Sequence, residues 1–253
     1  MDDGTEQKRS TAALFDEHAE AYLDSRVHRA GDDLDQLVDW VGAADRALDV
    51  ATGAGHTAGA LANDGASQVV ATDAAPTMVA TATRAFPSVI GVICDAERLP
   101  FATNSFDAVT CRIAAHHFPE PTDFVTEVAR VLKPGGTLAF EDNVAPDDEV
   151  LDDFLNRVER IRDPTHVRSH RVGDWLRWFA DAGLTVETSR VVTKTLDYDD
   201  WVANVDLSAE RRERLEAAFA DRPPETTEAF EIMDSEAGIE SFANLKLLLR
   251  ATR

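Results

Sequence analysis

From about residue 46 to residue 142, short and nearly continuous apolar runs alternate with segments whose apolar residues recur every three or four positions. Runs of the first kind suit strands buried on both faces, and the alternation is that of a parallel sheet covered by helices on both sides. ALDVAT, QVVATD, VIGVICD, FDAVTCRI and TLAFED predict five such strands. A helix follows the first strand through Ala62, and Pro76, suited to a first helical turn, opens another that runs to about Phe86. Phe124, Val125, Val128 and Leu132 space a third helix, which Pro134, Gly135 and Gly136 stop with a turn. Residues 185–198 and 241–252 predict a sixth and a seventh strand. The expected fold is α/β: a doubly wound, seven-stranded, mostly parallel sheet with helical lid segments, in one domain over residues 1–253.

Two segments interrupt the alternation. In residues 11–40, Phe15, Ala19 and Tyr22 share a helical face, predicting a helix laid on the core or over a ligand cleft. Residues 150–183 predict a helix carrying Leu151, Phe154, Leu155 and Val158, the connector RDPTHVRSHR, and a short helix DWLRWFADAG closed by Gly183. A helical insert around 208–220, inside 199–228, ends at Pro223 and Pro224. Insertions at these places roof the carboxyl edge of a doubly wound sheet, where ligands bind. They are therefore expected to form lid and substrate-side segments around a ligand-binding core at 46–142.

Charge narrows the partners. The chain carries 47 acidic against 25 basic residues, a formal net charge of −22, and only four of the basic residues are lysines. Such a surface repels nucleic acid and anionic lipid, so neither nucleic acid nor membrane is expected as a partner. A broad acid excess with scarce lysine also reads as a halophilic-type surface, because high ionic strength screens self-repulsion. No apolar run reaches the roughly 18 residues of a membrane helix, and MDDGTEQKRS lacks an apolar signal-peptide core, so a cytoplasmic location is expected. Cys94 and Cys111 fall in strand-like runs, which argues against a disulfide.

Candidate chemistry begins at LDVATGAGHTAGALA, residues 48–62, where a strand breaks into glycines and resumes as a helix, a geometry that holds small anions. Gly53 and Gly55 form G-x-G, but Gly59 lies one position beyond the dinucleotide spacing, where Ala58 stands instead. Asp73 closes the second strand 20 residues after Gly53, where a carboxylate accepts from both ribose hydroxyls of an adenosine. Its other reading is a cap for the helix that Pro76 opens. NAD and S-adenosylmethionine (SAM) both satisfy these constraints. Short-chain reductases need Tyr-x-x-x-Lys, and neither Tyr22 nor Tyr198 has a lysine four residues on. Asp95 and Ala96 close the third strand, where a carboxylate can accept from an adenine amine and a backbone amide can donate to the ring.

Taken in order, LDVATGAG, VVATD, CDAERLPF, SFDAVTCRIAAHHF and RVLKPGG resemble the class I SAM-dependent methyltransferases, close to the ubiquinone/menaquinone-biosynthesis branch. The resemblance covers residues 11 to about 190 and extends to FDEHAEAYLDSRVHRAGDDL and ERIRDPTHVRSHRVGDW, which look like a subgroup of small-molecule methyltransferases. It implies a Rossmann-like fold, SAM as cofactor and methyl transfer to a small-molecule acceptor. It also implies that Asp49 orients the loop and the methionyl amino group, and that the backbone of Ala51, Gly53 and Gly55 lines the methionine. Asp73 would take the ribose, Ala74 and Met78 would flank the adenine, Asp95 and Ala96 would read its edge, and the backbone near Cys111 and Arg112 would meet the amino group. The family often has glycine where Ala51 and Thr52 stand.

Methyl transfer is an in-line displacement in which alignment alone supplies up to roughly 7–11 kcal/mol. A general base is needed only if the acceptor keeps its proton near neutral pH. His116 and His117, just past the fourth strand, and His166 are the candidate bases, with capping or packing as the alternative for the pair. Arg162 and Arg168, with Tyr22, are the candidate substrate residues; two guanidiniums can clamp an acceptor anion or brace the lid with salt bridges. His166 and His170 lack a third ligand nearby, so no metal is expected. Trp175, Trp178 and Phe179 read as core packing or as an apolar acceptor pocket, and two strand-bound cysteines do not suit an arsenite acceptor. A non-catalytic SAM-binding sensor or scaffold would carry the same cofactor motifs; ionisable residues in the lid segments favour an enzyme. With −22 charges to screen, the melting temperature should rise from dilute buffer to molar potassium chloride, and calorimetry showing it flat or falling would remove the halophilic reading.

Overall fold

The computed structural model describes residues 3–24, 31–203, 205, 207–236 and 238–253, excluding the side chains of residues 3, 17–22 and 24. Five parallel strands, β1 (Arg46–Val50), β2 (Gln68–Asp73), β3 (Val89–Ile93), β4 (Phe106–Arg112) and β5 (Leu132–Asn143), build most of the sheet. β6 (Thr185–Asp197) and β8 (Gly238–Thr252) complete the order β3-β2-β1-β4-β5-β8-β6, with β8 antiparallel to both neighbours. The seven-stranded, mostly parallel sheet is thus present. An eighth strand, β7 (Met233–Ser235), pairs with β8 and is too short for a two-residue period to reveal it.

The helices are α1 (Asp3–Asp24), α2 (Asp32–Val41), α3 (His56–Asn63), α4 (Pro76–Ala85) and α5 (Pro121–Val131), then α6 (Glu149–Arg162), α7 (Val172–Asp181), α8 (Tyr198–Ala203), α9 (Ala209–Ala220) and α10 (Pro224–Ala229). α1 starts well before residue 11, where the sequence pattern placed it. The turn expected at Pro134–Gly136 is instead a bulge inside β5: pairing with β4 jumps between Phe106 and Ala108 while Gly135 takes a φ of 79°.

Burial on both faces explains the continuous apolar runs. In β1, Ala47 packs with Leu34 of α2 and Leu61 of α3, while Leu48 and Val50 face the cluster that holds Phe124 of α5 and Phe140 of β5. Trp175 and Phe179 of α7 are fully buried with ring centroids 4.7 and 5.4 Å from Phe140, so they serve the core. A second core joins Phe154 of α6, Trp201 of α8, Phe219 of α9, Phe230 and Phe242 of β8. The apolar faces of the 150–162 and 199–228 segments are thereby buried against each other and against β8.

Past β1 the chain must turn sharply, and Ala51, Gly53 and Gly55 all sit in the left-handed region at φ 53°, 54° and 90°. A Cβ on Gly55 would lie 2.7 Å from Ala82 Cβ and 2.9 Å from its Cα, whereas one on Gly53 would meet nothing within 4 Å. Gly53→Ala should therefore cost only the left-handed penalty, about 1–2 kcal/mol, and Gly55→Ala about 1–3 kcal/mol more from forcing α4 outward. Denaturant unfolding of the two variants checks this; equal losses would discount the close approach of loop and helix.

Candidate active site

β1 and β4 are neighbours, and the chain winds outward from them in opposite directions, which leaves a crevice at their carboxyl ends. A cavity of about 350 Å³ opens there, walled by the loops after β1, β2, β3 and β4 and covered by α1 through Thr5, Lys8, Arg9, Thr11, Ala12 and Phe15. Of the expected cofactor residues, Ala51, Gly53, Asp73 and Ala74 line it, as do Met78, Asp95, Ala96 and Arg112. Asp49 and Gly55 do not. Two residues without glycine's freedom, Ala51 and the β-branched Ile113, hold left-handed backbone on its wall at φ 53° each, the kind of strain that a site retains.

Carboxylates at the strand ends shape the wall. Asp49, 1% exposed, accepts from Thr52 Oγ1 and Thr110 Oγ1 at 2.6 Å each, and burial pushes its carboxyl up to about 6 against those donors. It thus holds the glycine loop from behind. Asp73 accepts from the backbone N–H of Gly53 and of Ala75, both at 2.9 Å, tying that loop to the start of α4; burial raises its pKa against these bonds. The capping reading of Asp73 is therefore also realised. Asp95 accepts from Glu97 N at 2.9 Å and from Lys8 Nζ at 2.8 Å, and Lys8 also pairs with Glu97. Arg112, buried, donates to Glu141 at 2.8 Å and to Asp33 at 2.5 Å; burial opposes ionisation of Asp33, yet the guanidinium holds it at about 2.

Part of the wall is built around histidines. His117 lines the cavity, edge-on to Phe15 of α1 at 5.1 Å. Its Nδ1 lies 3.1 Å from the Thr165 carbonyl, which can only accept, so Nδ1 carries the proton and Nε2 holds the lone pair. Thr165 Oγ1, 3.2 Å from the same Nδ1, donates in turn to Asp163 at 2.6 Å. His116 does not line the cavity. It is buried behind His117, ring centroids 4.2 Å apart, with Nδ1 2.6 Å from Asp142 Oδ1. Burial, then the neighbouring His117, push the His116 pKa well down, while burial lifts Asp142 to about 7.

In the RDPTHVR connector the bracing alternative is the one the side-chain partners follow. Arg168 makes a two-pronged pair with Asp152 at 2.7 and 2.6 Å, and Arg171 joins the same carboxylate at 2.9 Å. Arg162 donates to the Trp201 carbonyl at 3.0 Å and lies 4.8 Å over its ring. His166 is buried with Nε2 3.1 Å from Asn156. None of the three lines the cavity, so they brace α6 to its surroundings and do not clamp an acceptor there. The polar face that α6 turns inward, Asp152, Asn156 and Glu159, supplied partners that the charge pattern alone did not show. Tyr22 lies outside the described side chains. Sequence reasoning also missed Lys8, Asp142 and Thr165; the scarcity of lysine was the available signal for the first.

A switch-point cavity with carboxylates at the ends of β2 and β3 places the protein among the α/β enzymes that bind adenosine cofactors. Residues 48–140 match the family model described as a methyltransferase domain. The Bacillus subtilis protein YcgJ, called an uncharacterized methyltransferase, is 37% identical over 209 residues, 79% of this chain and 82% of that protein. Its crystal structure aligns with a TM-score of 0.83 at 32% identity, covering 87% of this chain and 97% of that one. A demethylmenaquinone methyltransferase of Beutenbergia cavernae is 37% identical over 143 residues, 53% of this chain and 58% of that protein. The chain belongs to the SAM-dependent methyltransferases, and SAM is its cofactor.

Burial, then the neighbouring His116 and His117, depress the pKa of His166 well below 6.5, so the unfolded chain takes up a proton below pH 6.5 that the folded one refuses. Its contribution is present above pH 6.5 and is lost as the pH falls. Relative to His166→Gln, the wild type should lose about 1 kcal/mol per pH unit below 6.5. Urea unfolding at two pH values reads the difference, and a constant gap would mean that folded His166 is already charged.

Proposed function

We propose that this cavity holds SAM along the ends of β1, β2 and β3 and passes its methyl group to a small polar or anionic molecule seated between α1 and His117. The observation that carries the reading is His117: an imidazole on the wall of the same cavity, fixed in one tautomer by Thr165. The residues suit the cofactor. Asp73 is half-buried with oxygen lone pairs beyond its two backbone bonds for the ribose diol, and the space beside Gly53 holds no protein atom within 4 Å. Ala74 and Met78 flank the adenine; Asp95, its side chain 40% exposed, and Ala96 meet its edge. Asp49 and Gly55 act by shaping the loop, and the Arg112 end of β4 receives the methionyl group.

Bound there, SAM supplies an electrophilic methyl group on a sulfonium. Phe15, Ile113 and Phe118 keep water from the acceptor, and Arg9 brings to the rim a guanidinium that no described carboxylate neutralises. Nε2 of His117 takes the acceptor's proton as the new bond to carbon forms. The resulting imidazolium donates from Nδ1 to the Thr165 carbonyl, beside Asp163, which accepts from Thr165 N and Thr165 Oγ1.

Isotope-labelled SAM incubated with the protein and fractionated cell extract tests this. Label should enter a small-molecule fraction; entry only into macromolecules would overturn the acceptor class. Asp73→Ala should weaken SAM and S-adenosylhomocysteine binding by about 1–3 kcal/mol. His117→Ala should keep SAM affinity while losing about 10²–10⁴ in turnover. Unchanged affinity in the first or unchanged turnover in the second removes that residue from its role.

A further inference from the structure

A second hollow, also about 350 Å³, lies between α6 and α9 and shares no lining residue with the first. Its lining is Arg157, Arg160 and Ile161 of α6 with Arg214 and Ala217 of α9. On α6 these positions are spaced i, i+3, i+4 and on α9 i, i+3, so each helix turns one continuous face into the hollow. Arg211, one turn before Arg214, is structural, since its guanidinium donates to the Ile161 and Arg160 carbonyls at 2.8 Å each, satisfying the carbonyl end of α6 and docking α9 beside it.

The three lining arginines have no comparable role. Arg160 reaches only the Val167 carbonyl, at 3.4 Å, and Arg157 and Arg214 have neither a hydrogen bond nor an ion pair among the described residues. Other arginines of this chain, such as Arg112, Arg130, Arg168 and Arg222, pair with carboxylates. Three guanidiniums line one hollow with no carboxylate bonded to them among the described residues, and an anion placed there is attracted by all three. Planar guanidinium forks match the oxygens of a phosphate, and Ile161 and Ala217 give an apolar floor for a carbon-bearing remainder.

We infer that the α6–α9 hollow is a second binding site, for a phosphate-bearing small anion, held by Arg157, Arg160 and Arg214. It is independent of how the acceptor binds in the first cavity. The test is isothermal titration of the full chain with inorganic phosphate and, separately, with glycerol 3-phosphate, at ionic strength held constant with potassium chloride. Saturable binding of either supports the site. Tighter binding of glycerol 3-phosphate assigns it to phosphorylated organic molecules, and equal or tighter binding of inorganic phosphate to the free anion. The double variant Arg157→Gln/Arg214→Gln, altered only at exposed helix positions, should bind the same probe at least about tenfold more weakly with SAM affinity unchanged. No saturable binding to the wild type, or a folded double variant that binds as well as the wild type, overturns the proposal. Should the double variant not fold, the single variants Arg157→Gln and Arg214→Gln are titrated in its place, with the same two outcomes.

Discussion

A carboxylate removed from water must be given donors, and in this protein that requirement organises the whole carboxyl edge of the sheet. β1 contributes Asp49 near its end, β2 closes on Asp73, β3 is followed by Asp95, and β5 carries Glu141 and Asp142, while β4 alone ends on a cation, Arg112. Each acid takes its donors from a neighbouring segment: Asp49 from Thr52 and Thr110, Asp73 from Gly53 and Ala75, Asp95 from α1, Glu141 from Arg112, Asp142 from the His116 segment. The loops that wall the cavity are thus held from below by buried charge. Removing one donor would leave a carboxylate stranded, so each connector of the wall is tied to its neighbour by a bond that is costly to lose.

The same bonds explain how α1 sits. Lys8 reaches Asp95 and Glu97, Gln7 donates to the Thr165 carbonyl at 3.1 Å, and Asp16 accepts from Thr77 N at 2.7 Å at the start of α4. Between these polar pins, Ala12 and Phe15 pack on Ala75 and Met78. One helix therefore touches the strand ends assigned to the cofactor and the histidine wall assigned to the acceptor. α1 thus spans both ends of the cavity.

The sheet was legible because strands buried on both faces read as apolar runs, and QVVATD matches β2 residue for residue. The glycine loop and Asp73 were legible because turn chemistry and a strand-end carboxylate are local signals. Long-range charge pairing is not local. Arg168 and Asp152 are 16 positions apart, and no periodicity says that α6 turns Asp152, Asn156 and Glu159 inward. An arginine without its partner in view looks like a ligand clamp; with the partner it is a brace. β7 escaped notice for a simpler reason, since three residues cannot display an alternation.

The adjacent histidines show how little a residue type decides without its surroundings. His116 and His117 share a short 3₁₀ turn and nearly touch, yet two neighbouring imidazoles cannot both carry charge cheaply. Burial resolves the competition. His116, enclosed against Asp142, is driven towards its neutral form, and a proton on His117 drives it further. His117 faces the cavity, with the proton on Nδ1 directed to the Thr165 carbonyl. Which imidazole meets the cavity and which stays enclosed is set by the ring the chain turns outward. That orientation is fixed in turn by the 163–168 connector, whose Thr165 holds His117 while the Val167 and Arg168 amides grip the His116 carbonyl at 2.9 and 3.0 Å. Bracing α6 with Arg162 and Arg168 therefore reaches the cavity wall: it holds in place the segment that holds His117.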